Sequence, residues 1–278
     1  MVCPAEYRGK TSERVRRQYE VEKELANRLR NASREERSGL YSLVYAELFQ
    51  RLPDHPAIEE TPDTIRRRVL GQMLFLGRFL NKDAVLLEIG PGRCELSFEA
   101  AKYVKKVYAL DVDEKVTDAL PRPRNFELVL YGGVDFPMSE ASVDVAYSNQ
   151  FIEHLHAEDA LEHLANIHSA LVPGGVYICA TPNRLSGPHD VSMYFDRVAT
   201  CLHLKEYTTT ELAGLFKRVG FSRVSTYAAL KNRYCKTPLF AVTACEAILG
   251  VLPYRLRKAL AGRLPLRAIL GVRLVGVK

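Results

Sequence analysis

The residues best placed for chemistry in this 278-residue chain are Glu88, Gly90 and Gly92, in the run Glu88-Ile-Gly-Pro-Gly92 that closes the apolar stretch Val85-Leu-Leu-Glu-Ile89. Two glycines one residue apart after a strand let the chain turn sharply and bring bare backbone against a ligand. Alone, that pattern opens a nucleotide site or makes a tight turn. Glu88 adds a carboxylate where a cationic ligand group would sit. Asp111 ends the next strand, 21 residues past Gly90, where a carboxylate can accept both hydroxyls of a ribose. The plainer alternative is that Asp111 and Asp113 cap a helix. A dinucleotide fingerprint would need a third glycine where this chain has Glu95, a poor neighbour for pyrophosphate. The set points to a nucleoside that carries positive charge.

Histidines supply the candidate proton acceptors. His154 and His156 stand in Glu-His-Leu-His, His189 in Ser-Gly-Pro-His-Asp190, and His203 in Leu-His-Leu-Lys-Glu-Tyr207. His154 and His189 are the two expected to act as bases, with Asp190 able to orient the His189 ring. His163 and His168 lie in a helical stretch and are expected at the surface. His154, His156 and Asp159 could also be read as metal ligands, but their spacing fits no closed zinc site, so no metal is expected.

These residues need a scaffold. Residues 12 to 52 read as two helices broken at Asn31-Ala-Ser33, where Ser33 and Glu36 form a capping-box pattern. Thr61-Pro62 starts a third helix bearing Val69, Met73, Leu76 and Leu80. Strand signals follow at Val85 to Ile89, Lys106 to Asp111, Phe126 to Leu130, Val143 to Ser148, Val176 to Ala180, Phe221 to Ala229 and Val272 to Val277. Helices are expected at Glu95 to Tyr103, at Ala157 to Leu171, and after the cap Thr208-x-x-Glu211 up to Gly220. The rhythm predicts an α/β fold, a doubly wound, mostly parallel seven-stranded sheet with helices on both faces. Residues 1-80 form an N-terminal helical cap, 81-230 the core, 231-270 a basic helical insertion, and 271-278 the last strand. The long loop from Thr181 to Tyr207 reads as a lid over the substrate, together with the N-terminal helices.

Composition sets the limits. With 47% hydrophobic and 26% charged residues the chain can bury a sizeable core. The net charge of +6 is unevenly placed: from Lys231 to Lys278 ten Lys/Arg face Glu246 alone, net +9, so the rest carries −3. Such a block favours an anionic partner or a peripheral membrane contact, the alternatives being a solvated face or a homodimer contact. Six cysteines without CxxC pairing fit a reducing cytosol, and neither a signal stretch nor a membrane span is expected.

The pieces Glu88-Ile-Gly-Pro-Gly, Tyr108-Ala-Leu-Asp111, Phe136-Pro-Met, Ser142-Val-Asp-Val145, Glu153-His154-Leu155 and Leu171-Val-Pro-Gly-Gly175 together resemble class I S-adenosylmethionine (SAM)-dependent methyltransferases of Rossmann-like fold, over about residues 84 to 230. SAM carries both an ammonium and a sulfonium, as the carboxylates ask. The resemblance implies that Glu88, Gly90 and Gly92 hold the methionine end of SAM, that Asp111 holds the ribose, that Val112 is a cofactor-binding position, and that Asn149 and Gln150 flank the methionine moiety. Gly133 is implied as a further cofactor-lining position. The chain departs from the family at Cys94, where a third glycine is frequent, and near Gly132, where the adenine-reading acid would align and Asp135 is displaced by three. His154 is a family position that often ties its loop down. The implied reaction is methyl transfer to a hydroxyl of a small-molecule or glycan acceptor. N-methyl transfer and a silent SAM-binding protein are the alternatives. Nucleic acid is not an expected acceptor, because no Asp/Asn-Pro-Pro-Tyr/Phe tetrad is present.

Overall fold

The computed structural model describes residues 6–7, 10–55, 61–112, 121–132, 136–230 and 233–278. A short hairpin of β1 (Glu6–Tyr7) and β2 (Lys10–Thr11) leads into helices α1 (Ser12–Asn31) and α2 (Arg34–Arg51). Ser33 caps α2 through the expected reciprocal box, its hydroxyl accepting from the Glu36 amide while the Glu36 carboxylate accepts from the Ser33 amide. Within α2, Ser38 and Gly39 leave the helical region, Gly39 with φ 83°. This break lets the Gly39 amide donate to the Gly132 carbonyl, at 3.0 Å. Helix α3 (Pro62–Leu76) starts where Thr61 caps and Pro62 takes the first turn.

The core alternates as predicted: β3 (Val85–Ile89), α4 (Glu95–Ala100), β4 (Lys106–Asp111), β5 (Phe126–Leu130), β6 (Val143–Asn149), α5 (Ala157–Ala170), β7 (Leu171–Thr181), α6 (Thr209–Val219) and β8 (Arg223–Leu230). Then come β9 (Arg233–Thr237), α7 (Leu239–Gly250), α8 (Tyr254–Ala261), α9 (Leu266–Leu270) and β10 (Val272–Val277). The strands lie in the order β5-β4-β3-β6-β7-β10-β8-β9. From β5 to β7 all neighbours are parallel, and β10 runs antiparallel between β7 and β8.

Among the described residues this sheet has eight strands rather than seven. The additional strand, β9, opens the segment expected as a basic helical insertion. It pairs antiparallel with β8 as an edge strand, and only Tyr234 turns inward, stacking on Phe75 at 4.6 Å while Arg233, Cys235 and Lys236 stay exposed. Charged side chains suit such an edge because they discourage further pairing.

Successive β3 residues serve opposite layers. Leu87 and Ile89 join a core with Leu25 and Leu29 of α1, Val44 and Leu48 of α2, Leu164 of α5 and Phe216 of α6. Leu86 joins Leu76 of α3 and Leu96 of α4 on the other face. A strand buried on both faces is what its unbroken apolar run encodes. The first two N-terminal helices are fixed by polar contacts as well. The Arg37 side chain is 2% exposed, and its guanidinium donates to both Asp159 oxygens at 2.8 and 2.7 Å, while the Tyr41 hydroxyl donates to the same carboxylate at 2.6 Å. The insertion has a small core of its own, Leu249, Ala261 and Leu270, which reaches the main body at Leu185. No helix among the described residues is long and apolar enough to cross a membrane.

Candidate functional site

Strand order reverses between β3 and β6, so their carboxyl ends open the crevice where doubly wound sheets take ligands. The loop after β3 turns through Gly90 (φ 62°) and Gly92 (φ 56°), and Cys94 follows in the same left-handed region at φ 60°. A cysteine thus makes the turn at which the resemblance favours glycine. At Gly90 the need is also steric: a Cβ there would stand 2.4 Å from Cδ2 of Phe151, which follows β6.

Glu88 is 6% exposed and accepts a hydrogen bond from the Ser97 hydroxyl. Burial pushes its carboxyl up to about 7, against the lowering effect of Ser97 and Arg68. Such a group gains most from a cationic ligand. At the end of β4 the Asp111 carboxylate accepts from the Val112 amide at 2.7 Å, both residues half-buried. Asn149 ends β6, and Gln150 takes a left-handed φ of 56°, with its amide on the Ala180 carbonyl at 2.8 Å. A non-glycine residue held there is a strained position of the kind found at sites. The structure thus brings Glu88, Gly90, Gly92, Asp111, Val112, Asn149 and Gln150 to one edge of the sheet. Gly133 and Asp135 lie outside the described residues, as does Asp113.

Beyond β6 and β7 lies a buried polar cluster. Glu153 is fully buried and accepts from the Thr181 hydroxyl at 2.8 Å; burial lifts its carboxyl to about 7. His154 Nδ1 meets the Leu202 carbonyl at 3.0 Å, and its ring stands edge-on to that of His203 at 4.9 Å. Burial drives His154 down to about 3, so it stays neutral over the ordinary pH range. Burial also opposes charge on His203. Its Nδ1 contact with Glu206 at 2.8 Å and the nearby Glu153 and Asp190 outweigh this and raise it. Arg30 of α1 closes the cluster from above, donating to the carbonyls of Thr200, Cys201 and His203.

His189 is exposed, its Nε2 beside the Ser186 hydroxyl at 2.9 Å and the Asn183 carbonyl at 3.2 Å, and desolvation by the residues packed around it lowers it. The neighbouring Asp190 does not orient that ring. Its carboxylate turns inward to the amides of Ser192 and Cys201, capping a 3-10 turn. His163 is not a surface residue either: it is 3% exposed, against Phe151 and Phe136, and burial pushes it down to about 3. His168 is half-buried on Phe221. His156 and Asp159 are committed elsewhere, since the Asp159 carboxylate serves Arg37 and the His156 amide donates to the Tyr41 hydroxyl. Sequence reasoning missed Phe151, Thr181 and Glu206, which carry no motif of their own and acquire meaning only from what they touch.

Comparison with known proteins agrees with this geometry. Residues 63–226 match the family model described as a methyltransferase domain. Over 168 residues the chain is 30% identical to a probable S-adenosylmethionine-dependent methyltransferase of Mycolicibacterium smegmatis, covering 60% of this chain and 62% of that protein. The chain thus spans about three fifths of that relative's length. Among solved structures it is similar to a chain of the complex between the Haloferax volcanii Trm112 methyltransferase activator and a methyltransferase. That likeness has a TM-score of 0.56 at 17% identity, covering 80% of this chain and 95% of the other. It is also similar to phosphoethanolamine N-methyltransferase 1 of Haemonchus contortus, with a TM-score of 0.55 at 12% identity, covering 86% of this chain and 49% of the other. At such identities these two show the fold alone. The chain belongs to the class I SAM-dependent methyltransferase family, in which SAM is the cofactor.

Proposed function

We propose that this protein transfers the methyl group of SAM to a hydroxyl of a small-molecule or glycan acceptor. The observation that carries this is the placing of Glu88, Gly90 and Asp111 at the ends of β3 and β4, beside a buried cluster of titratable side chains at the ends of β6 and β7. In this reading Glu88, Gly90 and Gly92 hold the methionine end, Asp111 and Val112 the ribose, and Asn149 and Gln150 the flank facing the acceptor, with Gly133, which follows β5 in sequence, a further cofactor position. Transfer from a sulfonium is an in-line displacement, so alignment and exclusion of water carry most of the catalysis. A hydroxyl acceptor must also lose its proton, which an amine that binds uncharged need not do before attack. The polar cluster on the acceptor side therefore favours oxygen over nitrogen.

Of the two expected bases, His189 is the better proton acceptor. Its Nε2 faces a carbonyl, which can only accept, so Nδ1 is left basic. His154, held neutral and bonded to Leu202, acts by position. The loop from Thr181 to Tyr207 and α1 close over the acceptor, as Arg30 and the stack of Tyr19 on Phe195 at 4.1 Å support. Exposed Phe240, Ile248 and Val251 on and after α7, close in sequence to exposed Arg255, Arg263 and Arg267, favour an acceptor with a lipid or phosphate tail.

The test is calorimetry with S-adenosylhomocysteine (SAH), followed by transfer of labelled methyl from SAM to a panel of hydroxyl and amine acceptors. Absence of SAH binding by folded protein overturns the reading; turnover confined to amines overturns the hydroxyl assignment. Limited proteolysis of the 181–207 loop with and without SAH tests closure, and co-sedimentation with anionic against neutral liposomes tests the basic segment.

A further inference from the structure

We propose that Glu153, His154 and His203 form a binding site for one divalent transition-metal ion whose open positions take the acceptor oxygen. The inference deepens the methyl-transfer reading and rests on it for its chemistry, while the ion site itself rests on geometry alone. One potential ligand atom from each residue lies within 4.8 Å of those of the other two. Ligands about 2 Å from a shared ion in tetrahedral directions stand about 3.3 Å apart, so a contraction of at most about 1.5 Å closes the set.

Two observations point to a cation. Glu153 is 0% exposed, and while its Oε2 accepts from Thr181, its Oε1 accepts no hydrogen bond from any described residue. Buried carboxylate oxygens are ordinarily satisfied, and one left over beside two imidazoles asks for a positive partner. The second observation is how the imidazoles are held. His154 places Nδ1 on the Leu202 carbonyl, and His203 places Nδ1 on Glu206, which itself accepts from the His189 amide at 2.7 Å. Each ring is therefore fixed through one nitrogen, leaving Nε2 for an ion. Histidine ligands are held in this way, with a carbonyl or carboxylate behind them.

The molecule offers a contrast. His156, Glu158 and Asp159 also come close enough for a shared ion, but Arg37 and Tyr41 already satisfy both Asp159 oxygens, and Arg37 takes Glu158 as well. That group is an ion-pair network, whereas among the described residues no Lys or Arg side chain pairs with Glu153.

Two imidazoles and one carboxylate suit zinc, iron(II), manganese or cobalt, and three protein ligands leave positions open. A hydroxyl bound there becomes more acidic and gives up its proton to His189, the base of the proposed reaction, which later passes it to solvent. The oxygen lone pair then forms the bond to the methyl carbon as the carbon–sulfur bond breaks, its electrons returning to sulfur. The products are the methyl ether, SAH and one proton. With more than one open position, the fitting acceptor carries a second oxygen beside the methylated hydroxyl, as in a vicinal diol or a catechol-like ring.

The experiment titrates Co²⁺ into the full chain after treatment with a chelator and dialysis, following visible absorption, with Zn²⁺ competition and SAH calorimetry on the same metal-free sample. One Co²⁺ per chain is expected. Glu153→Gln and His203→Asn should abolish stoichiometric uptake, Glu206→Gln should weaken it ~10- to 100-fold by releasing the ring it holds, and His156→Ala should leave it unchanged. Retained SAH binding by the variants shows that they are folded. Absence of stoichiometric Co²⁺ binding by the parent chain, or binding indifferent to Glu153→Gln and His203→Asn, overturns the proposal. Should Co²⁺ bind while SAH does not, the methyl-transfer reading fails and the ion site stands.

Discussion

The ring of Phe151 lies so close over Gly90 that a Cβ at position 90 would come within 2.4 Å of its Cδ2. Gly90→Ala must move that ring and also hold alanine at φ 62°, a strain of about 1 kcal/mol or more. SAH affinity is expected to fall at least about tenfold, equal to ~1.4 kcal/mol. Adding Phe151→Ala should return part of it, leaving the backbone strain. Wild-type affinity in Gly90→Ala, measured by calorimetry, would show that the contact is not limiting.

Glu88 makes cofactor affinity depend on pH. With a pKa near 7, its carboxylate must lose a proton before it can pair with an ammonium, so binding weakens as pH falls through 7. A drop of about tenfold in SAH affinity is expected between pH 8 and pH 6, one pKa unit being a factor of ten. Glu88→Gln should flatten this profile and lower affinity at pH 8. Asp111→Asn, by contrast, should weaken binding at every pH. Parallel pH profiles for wild type and Glu88→Gln count against the role given to this carboxylate.

His163 predicts acid sensitivity of the fold. Its ring is buried against Phe151 and Phe136 with Nε2 unpartnered among the described residues, and its pKa falls to about 3 from 6.5. The folded state then binds fewer protons than the unfolded state between these values, so stability is full above pH 6.5 and is lost as pH falls below it. At pH 5 the cost is about 2 kcal/mol, from ~1.36 kcal/mol per pKa unit. His163→Phe should recover most of it, read as the denaturation midpoint in urea at pH 5 against pH 7.5. An identical gain at both pH values would assign the effect to packing instead.

Asp159 neutralises the buried guanidinium of Arg37, and removing one member of such a pair leaves the other uncompensated. Asp159→Asn should cost roughly 3 kcal/mol in urea unfolding. Replacing both residues by leucine should cost less than Asp159→Asn alone. A double variant as unstable as the sum of the single losses contradicts this.

Much of the fold was legible because its signals are local. Leu86 and Leu87 adjoin in sequence and face opposite layers, so an unbroken apolar run marked a strand covered on both sides. Ser33 with Glu36, and Thr208 with Glu211, announced two helix starts from three-residue spacings. Strand β9 was hidden because its inward residue, Tyr234, finds its partner at Phe75, far away in the chain, while its other side chains read as solvated. His163 was misplaced for the same reason, its cover coming partly from the loop after β6. Asp190 shows the converse: adjacency to His189 in sequence implied contact, yet local backbone amides claim its carboxylate. The glycine loop and Asp111 could be read as cofactor positions from type and spacing. That Glu153 and His154 meet His203 could not, since about fifty residues separate the pair from it and the pairing of β6 with β7 helps to bring them together.

Glu246, the sole acid of the cationic tail, is turned inward. One of its oxygens takes the Asn183 amide group and the Thr209 amide, each at 2.7 Å, while the other takes the Thr210 amide at 2.8 Å. Asn183 in turn offers its carbonyl to His189. Through one carboxylate α7 is therefore tied both to the start of α6 and to the loop that follows β7. Removing that carboxylate would leave the buried Asn183 amide group and the Thr209 and Thr210 amides without their partner at once, a cost of about 1–3 kcal/mol for each group left buried and unpaired.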